Sequence, residues 1–203
     1  MSQTDPYSPP QASLGGLTPS EQHDRDHGVL HYSTFWQRVG AGLIDVLVWS
    51  PVMLLEYFLA GYSRMYSVYA LVPTELLSAY FYVYLVVRYG GTPGKLMMGL
   101  RIANLDGSRV TLKGAALRYA VYWILALGIT LTTIAAALGI TEEAYKALGY
   151  LERSEALEEQ VPLINILTWL MIMWSFACLV TMLANKQRRT LHDFIAATVV
   201  LRK

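Results

Sequence analysis

The chain is short of charge. Only 15% of its 203 residues are Asp, Glu, Lys or Arg, while 54% are hydrophobic and the mean hydropathy is +0.35, a balance that excludes an ordinary water-soluble domain. It is also short of charge of one sign. A net charge of +1 leaves no basic surplus to neutralise a phosphate backbone, so nucleic acid is not an expected partner. Cysteine occurs once: Cys178, inside an apolar run, has no second thiol for an internal disulfide and no neighbours for a zinc site, and reads as a small buried packing residue. There is no nucleophile and base pair, metal motif or cofactor fingerprint, so neither an enzyme nor a bound cofactor is expected. Gly91 to Lys95 resembles a phosphate loop only superficially, because Leu96 stands where Ser or Thr should follow the lysine and the glycine spacing is wrong. His23, His27 and His31 recur every fourth residue, but Gly28 and the polar surroundings argue against the helix that would make them a metal-binding face.

Residues 1–33 lack any apolar run and are rich in Pro, Ser, Gln, Asp and Gly. They cannot bury enough surface to offset the entropy of ordering, and are expected to be a disordered cytoplasmic tail. They also lack the positive start and apolar centre of a signal peptide, so the first hydrophobic segment is expected to stay in the membrane.

Long apolar runs, by contrast, are abundant. A span needs roughly 20 mostly apolar residues to cross roughly 30 Å of hydrocarbon, and four segments qualify: 39–60, 66–87, 116–138 and 161–183. Trp36, Tyr62, Tyr66, Tyr89, Tyr119, Tyr122 and Trp123 lie near their ends, where amphipathic rings favour the headgroup level. Pro51 and Pro73 fall inside the first two and predict kinks. The fold class is therefore an all-α membrane protein, a bundle of four transmembrane helices. With the N-terminus inside, 13 of the 16 basic residues lie in inner segments, and only Arg64, Lys146 and Arg153 lie outside. The positive-inside rule thus puts both termini in the cytoplasm, as expected of a multi-pass protein of a bacterial inner membrane. Glu142, Glu143, Glu152, Glu155, Glu158 and Glu159 crowd the outer loop between spans three and four, which reads as a short acidic surface helix. In the inner loop 89–117, Leu100 and Ile102, then Val110 and Leu112, alternate with polar residues on either side of Asp106-Gly107. That pattern predicts a small cytoplasmic β-hairpin between spans two and three, resting on the helix ends.

Ionisable groups inside spans are costly and normally interior and paired. Arg38 to Asp45 is seven residues and Asp45 to Glu56 eleven, steps that miss one helical face by only about 20° in opposite senses, with Asp45 about 10 Å and Glu56 about 27 Å above Arg38. Two readings of Asp45 stay open. Neutralised by Arg118, Arg38 or the C-terminal segment, it would fix the register of the bundle; otherwise it would pass a proton or cation along an internal path with Glu56 and Glu75 as further stations. After span four, Phe194 to Leu201 is too short to cross the bilayer, so Asp193 is expected at the inner interface near the level of Arg38, within reach of a salt bridge. His192 beside it reads as a surface polar residue.

Three blocks in order now resemble a known family: Phe35-Trp36-Gln37-Arg38 through Ile44-Asp45, Gly91-Thr92-Pro93-Gly94-Lys95 through Gly99-Leu100-Arg101-Ile102, and Arg188-Arg189-Thr190-Leu191-His192-Asp193 through Val200. Together they resemble the RDD family of membrane proteins, named for one arginine and two aspartates, over about Thr34 to Lys203. The resemblance implies that these residues are Arg38, Asp45 and Asp193, and that the activity is transport, some members looking like cation and proton antiporters. The acidic loop is an addition to the family's minimal pattern. The expected function is transport-related, with a cation and a proton as the exchanged partners, through a charge network of Arg38, Asp45 and Asp193. The alternative is a non-transporting scaffold or accessory subunit that holds a partner membrane protein through the acidic loop or the tail. Four helices leave little room for two gates, and the small-residue faces Gly40-Ala41-Gly42 and Ala135-Ala136-Ala137 with Gly139 would allow close packing within the chain or in a homo-oligomer.

Overall fold

Thr34 opens the first helix. Its hydroxyl accepts the Gln37 N–H at 3.3 Å while the Gln37 side chain accepts the Thr34 N–H at 3.0 Å, a reciprocal cap. The computed structural model describes residues 30–203; His23, His27 and most of the expected tail lie outside these residues. From that cap α1 (Phe35–Ala60) runs through Pro51. Helix α2 (Tyr66–Ala79) runs through Pro73, widens into a π-helical turn at Tyr80–Tyr84 and finishes as α3 (Leu85–Tyr89). Gly90, at φ 86°, takes the left-handed conformation that ends it. There follow α4 (Pro93–Met97), β1 (Leu100–Asn104), α5 (Leu112–Leu138), α6 (Glu142–Ala147), α7 (Tyr150–Gln160), α8 (Leu163–Ala184), α9 (Leu191–Ile195) and β2 (Thr198–Arg202). Four helical stretches, Phe35–Ala60, Tyr66–Met97, Leu112–Leu138 and Leu163–Ala184, are long and apolar enough to cross a membrane.

Burial is distributed as a bilayer solvent would have it. Leu43, Leu47, Leu54, Ile124, Trp169 and Phe176 are exposed along the spans. The tightest apolar cluster instead gathers at one end, where Ala41, Val86, Leu100, Ile102, Val110, Ala115 and Val200 pack together. That end, the basic end, carries Arg38, Lys95 and Arg118.

The ribbon departs from the expected hairpin. The chain does reverse at Asp106-Gly107, with Gly107 at φ 81°, and Ala103 bridges Arg109. The ribbon's second strand, however, is the C-terminal β2, antiparallel to β1 with Ile102 opposite Val200. Thr111 explains why: its hydroxyl accepts the Gly114 N–H at 3.1 Å and starts α5, so no strand can continue past Val110. Residues 31–33, assigned by the sequence to the tail, line the other edge of β2. The Ser33 N–H donates to the Val200 carbonyl at 3.1 Å and the Arg202 N–H to that of His31 at 2.8 Å. Strand β2 is thus flanked on both edges, and Thr198 through Leu201 are all buried.

At the opposite end the acidic loop forms two helices, α6 and α7, rather than one. They fold down through Tyr145 and Leu157 onto Ala136, Ala137 and Ile164. Arg64 fastens them: its guanidinium donates to the carbonyls of Ala137 and Leu138, at 3.2 and 3.1 Å, and lies 3.7 Å from Glu142. It thereby adds a side-chain cap to the last carbonyls of α5.

Candidate functional site

Asp193 occupies the third position of α9, a helix one and a half turns long whose cap it supplies. Its Oδ2 accepts the N–H and the hydroxyl of Thr190, at 3.0 and 2.8 Å. The same oxygen accepts from Arg38 Nη1 at 3.1 Å, while Oδ1 accepts from Arg118 Nη1 and, at 3.3 Å, from the Thr198 hydroxyl. Arg38 is held from behind by Ser33, whose hydroxyl accepts its Nε–H at 2.7 Å. The carboxylate is fully buried, and the two arginine side chains are 8% and 10% exposed. Burial works against the Asp193 charge, yet Arg118 and Arg38 hold its carboxyl well below the usual carboxylate range. One side chain therefore joins α1, α5, α9 and the start of β2.

Asp45 belongs to a separate arrangement. Its Oδ2 accepts the Thr92 hydroxyl at 2.6 Å, its Oδ1 accepts the Gly94 N–H at 2.8 Å, and Lys95 Nζ lies 3.7 Å away. The expected neutralisers, Arg38, Arg118 or the C-terminal segment, are thus replaced by Lys95. Glycine is the reason. A Cβ on Gly94 would run into the Ala41 carbonyl oxygen and lie 2.9 Å from both the backbone nitrogen and Oδ1 of Asp45. Only a residue without one lets α4 lie against α1 and deliver its N–H and its lysine to Asp45. The Gly40-Ala41 face is spent on this contact, Ala41 being fully buried and Gly40 facing Met98.

Glu56 and Glu75 lie together near the other end. Both line a cavity of about 400 Å³ with Thr74, Ser67 and Thr130. Glu56 accepts the Thr74 hydroxyl at 2.8 Å, and Glu75 accepts the Trp123 indole N–H. So the six expected charges form no single network: Arg38, Arg118 and Asp193 are one cluster, Asp45 with Lys95 a second, and Glu56 with Glu75 share a distant cavity.

Three contributors were not foreseen. Lys95 is marked in the sequence only as the end of Gly91-Thr92-Pro93-Gly94-Lys95. The π-helical turn has no sequence signature; it turns Phe81 and Tyr82 together towards Trp49, with ring centroids 5.3 and 6.3 Å away, and stacks Tyr82 on Tyr119 at 5.0 Å. His192, expected at the surface, instead faces inward, its Nδ1 3.7 Å from Cys178 Sγ, because the α9 cap fixes Asp193 and carries its neighbour against α8. Burial first, and Arg118 next, push the His192 imidazole down to about 3. Among the described residues no group of three or more His, Cys, Asp or Glu is placed to hold a metal.

Four apolar helices tied at one end by buried arginine and aspartate side chains define a multi-pass membrane protein. The profile of the RDD family matches residues 32–197, and the chain belongs to that family. No curated protein and no solved structure matches it.

Proposed function

We propose that this chain exchanges a cation for a proton across the bilayer, with Glu56 and Glu75 as the exchanging carboxylates and the basic end facing the cytoplasm of a bacterial inner membrane. The family's own arginine and aspartates serve as the support. The observation that carries this reading is how the carboxylate oxygens are spent. Asp193 and Asp45 direct both oxygens at fixed donors inside the protein, which leaves little capacity for a visiting ion. Glu56 and Glu75 each hold one hydroxyl or indole donor and face a shared cavity that Ser67 and Thr130 also line, a ligand set suited to a small hard cation or a proton. Along the second and third spans, Tyr82 of the π-helical turn and Tyr122 of α5 come between that cavity and the basic end, and supply an aromatic barrier that a transport cycle would have to open. With so few helices, the complete path is formed by a homo-oligomer.

The test is proton movement into proteoliposomes, read by an internal pH dye on adding sodium, potassium or lithium. Cation-dependent movement that is lost in Glu75→Gln and Glu56→Gln, and kept to within a fewfold in Asp45→Asn, supports the assignment. Movement lost only in Asp45→Asn moves the site to the basic end. No movement in any protein favours the second reading, an accessory subunit. Glu152, Glu155 and Glu159, exposed on the folded acidic cap, would then present the docking face for a partner membrane protein, and their replacement by Gln should release whatever co-purifies.

A further inference from the structure

The buried and partly buried charges of the basic end do not balance. Among the described residues, Arg38, Arg118 and Lys95 face only Asp193 and Asp45, three cations against two carboxylates. Arg189, whose guanidinium donates to the Asp193 carbonyl at 3.1 Å, adds to the same sign. His192, held neutral by its surroundings, does not alter the count. Arg38 Nη2 is buried with no acceptor, a second sign that donors outnumber acceptors here. An unbalanced positive charge is costly where water is scarce, and buried charges are ordinarily paired.

Beside this surplus lies a cavity of about 320 Å³ walled by the second, third and fourth spans and by His192. Lys95, Arg118 and Thr92 form its polar side, and no carboxylate lines it. Both cations can serve an anion. Lys95 Nζ gives one hydrogen bond, to Thr92 at 3.2 Å, and Arg118 commits Nη1 to Asp193 and Thr198, which leaves its other nitrogens uncommitted. The remaining wall is amphipathic: Trp174 and Cys178 lie within it, and Tyr122 and Ser175 are exposed positions on two spans. The cavity therefore opens sideways, between α5 and α8, where acyl chains would lie.

We propose that this cavity holds the phosphate headgroup of an anionic phospholipid, with Lys95 and Arg118 bonding its oxygens and Tyr122 and Trp174 flanking its glycerol and first acyl carbons. Lysine as a point charge and arginine as a fork are the usual phosphate donors, and basic pockets between spans suit anionic headgroups. The sideways opening is what favours a lipid over a free anion. The proposal is independent of whether the chain carries ions.

The test uses the full chain in neutral detergent, melted with dioleoyl phosphatidylglycerol, dioleoyl phosphatidylcholine or inorganic phosphate. Phosphatidylglycerol should raise the midpoint by on the order of 5 °C at saturation, phosphatidylcholine and phosphate by less than a third of that, and native mass spectrometry should count one retained phosphatidylglycerol per chain. Ser175→Phe, which fills the opening without touching a charge, should lose both effects. An equal rise in Ser175→Phe would mean a general surface effect, and an equal rise with inorganic phosphate a small-anion site; either overturns the proposal. Should Ser175→Phe not fold, the contrast between the two lipids in the wild-type protein decides.

Discussion

Replacing Asp193 by Asn keeps the shape of the side chain and removes its charge. In the wild-type protein that carboxylate accepts from two arginines, from the Thr190 N–H and from the hydroxyls of Thr190 and Thr198. An amide has one accepting oxygen, so whichever way it turns, one arginine meets an N–H₂ group instead. The loss then comprises a broken buried ion pair, about 3 to 5 kcal/mol, with part of the Thr190 cap, about 1 kcal/mol, included in that range rather than added to it. At roughly 2 to 4 °C per kcal/mol for a chain of this size, the melting midpoint should fall by about 6 to 20 °C. The assay is thermal unfolding of detergent-purified protein followed by tryptophan fluorescence, with size-exclusion elution to confirm that it starts monodisperse. The triple variant Arg38→Met, Arg118→Met, Asp193→Leu sharpens the test, because removing the whole cluster leaves no orphaned charge. It should recover most of the loss and melt well above Asp193→Asn. A single variant that melts within about 2 °C of wild type, on the same scale, would refute the reasoning. So would a triple variant no more stable than the single one, since the defect would then be one of shape and not of charge.

Gly94→Ala should destabilise by more than about 2 kcal/mol, as overpacking against backbone does, because the added methyl meets the Ala41 carbonyl and Asp45. Gly42→Ala, with nothing within 4 Å of the added carbon, should raise stability by up to about 1 kcal/mol by helix propensity; chemical denaturation of the pair separates the two. Acidification should destabilise the protein between pH 6.5 and about 3 through His192. Buried against Arg118, with Lys95 and Arg38 beyond it, Cys178 beside it and Asp193 opposing, the folded imidazole resists a proton that the unfolded chain accepts from pH 6.5 downward. Its stabilising effect is therefore complete above that pH and lost at up to about 1.4 kcal/mol per pH unit below it. Asp193, whose folded pKa is lowered, loses its contribution only as the pH falls below the ordinary carboxylate range; His192→Asn should accordingly flatten midpoints measured between pH 6.5 and 4.

How far the sequence could be read depended on whether the signal was local. Each span announces itself because hydrocarbon demands a long apolar run, and each of the four runs falls on one long helical stretch, the second of which continues past its run to Met97. Asp193 near Arg38 was legible for a related reason, since the short run after it cannot cross and must return to the interface. The pairing of β1 with β2 was not legible, because five residues of strand carry no mark of a partner in another part of the chain. The Asp106-Gly107 turn and its flanking alternation were a true local signal, and the turn forms. Thr111 held the competing signal, a helix cap, and it prevailed because a 27-residue helix begins there. Lys95 was missed for want of a way to see that Gly94 permits contact with Ala41, and His192 because a basic stretch in sequence gives no hint of which residues turn inward.

The arrangement also explains how two aspartates and an arginine can be characteristic of a membrane protein as ties between its helices. The spans present apolar side chains outward along most of their length, so apolar burial cannot hold them in register; lipid solvates Leu47 or Phe176 as well as a neighbouring helix would. What can hold them is a contact that lipid cannot replace. Asp193 satisfies that requirement by taking donors from α1 and α5 at once, and Asp45 by taking the Thr92 hydroxyl together with an N–H and an ammonium from α4. Both lie at the end where the short helices and the ribbon build a water-protein type of core. Arg64, Tyr145 and Leu157 fasten the opposite end by carbonyl capping and packing, and with no buried carboxylate. Between the two fastened ends, Pro51, Pro73 and the π-helical turn interrupt the regular ladders of α1 and α2. Any rearrangement of the cavity around Glu56 and Glu75 should therefore bend these two helices at those positions while the basic end moves as one piece.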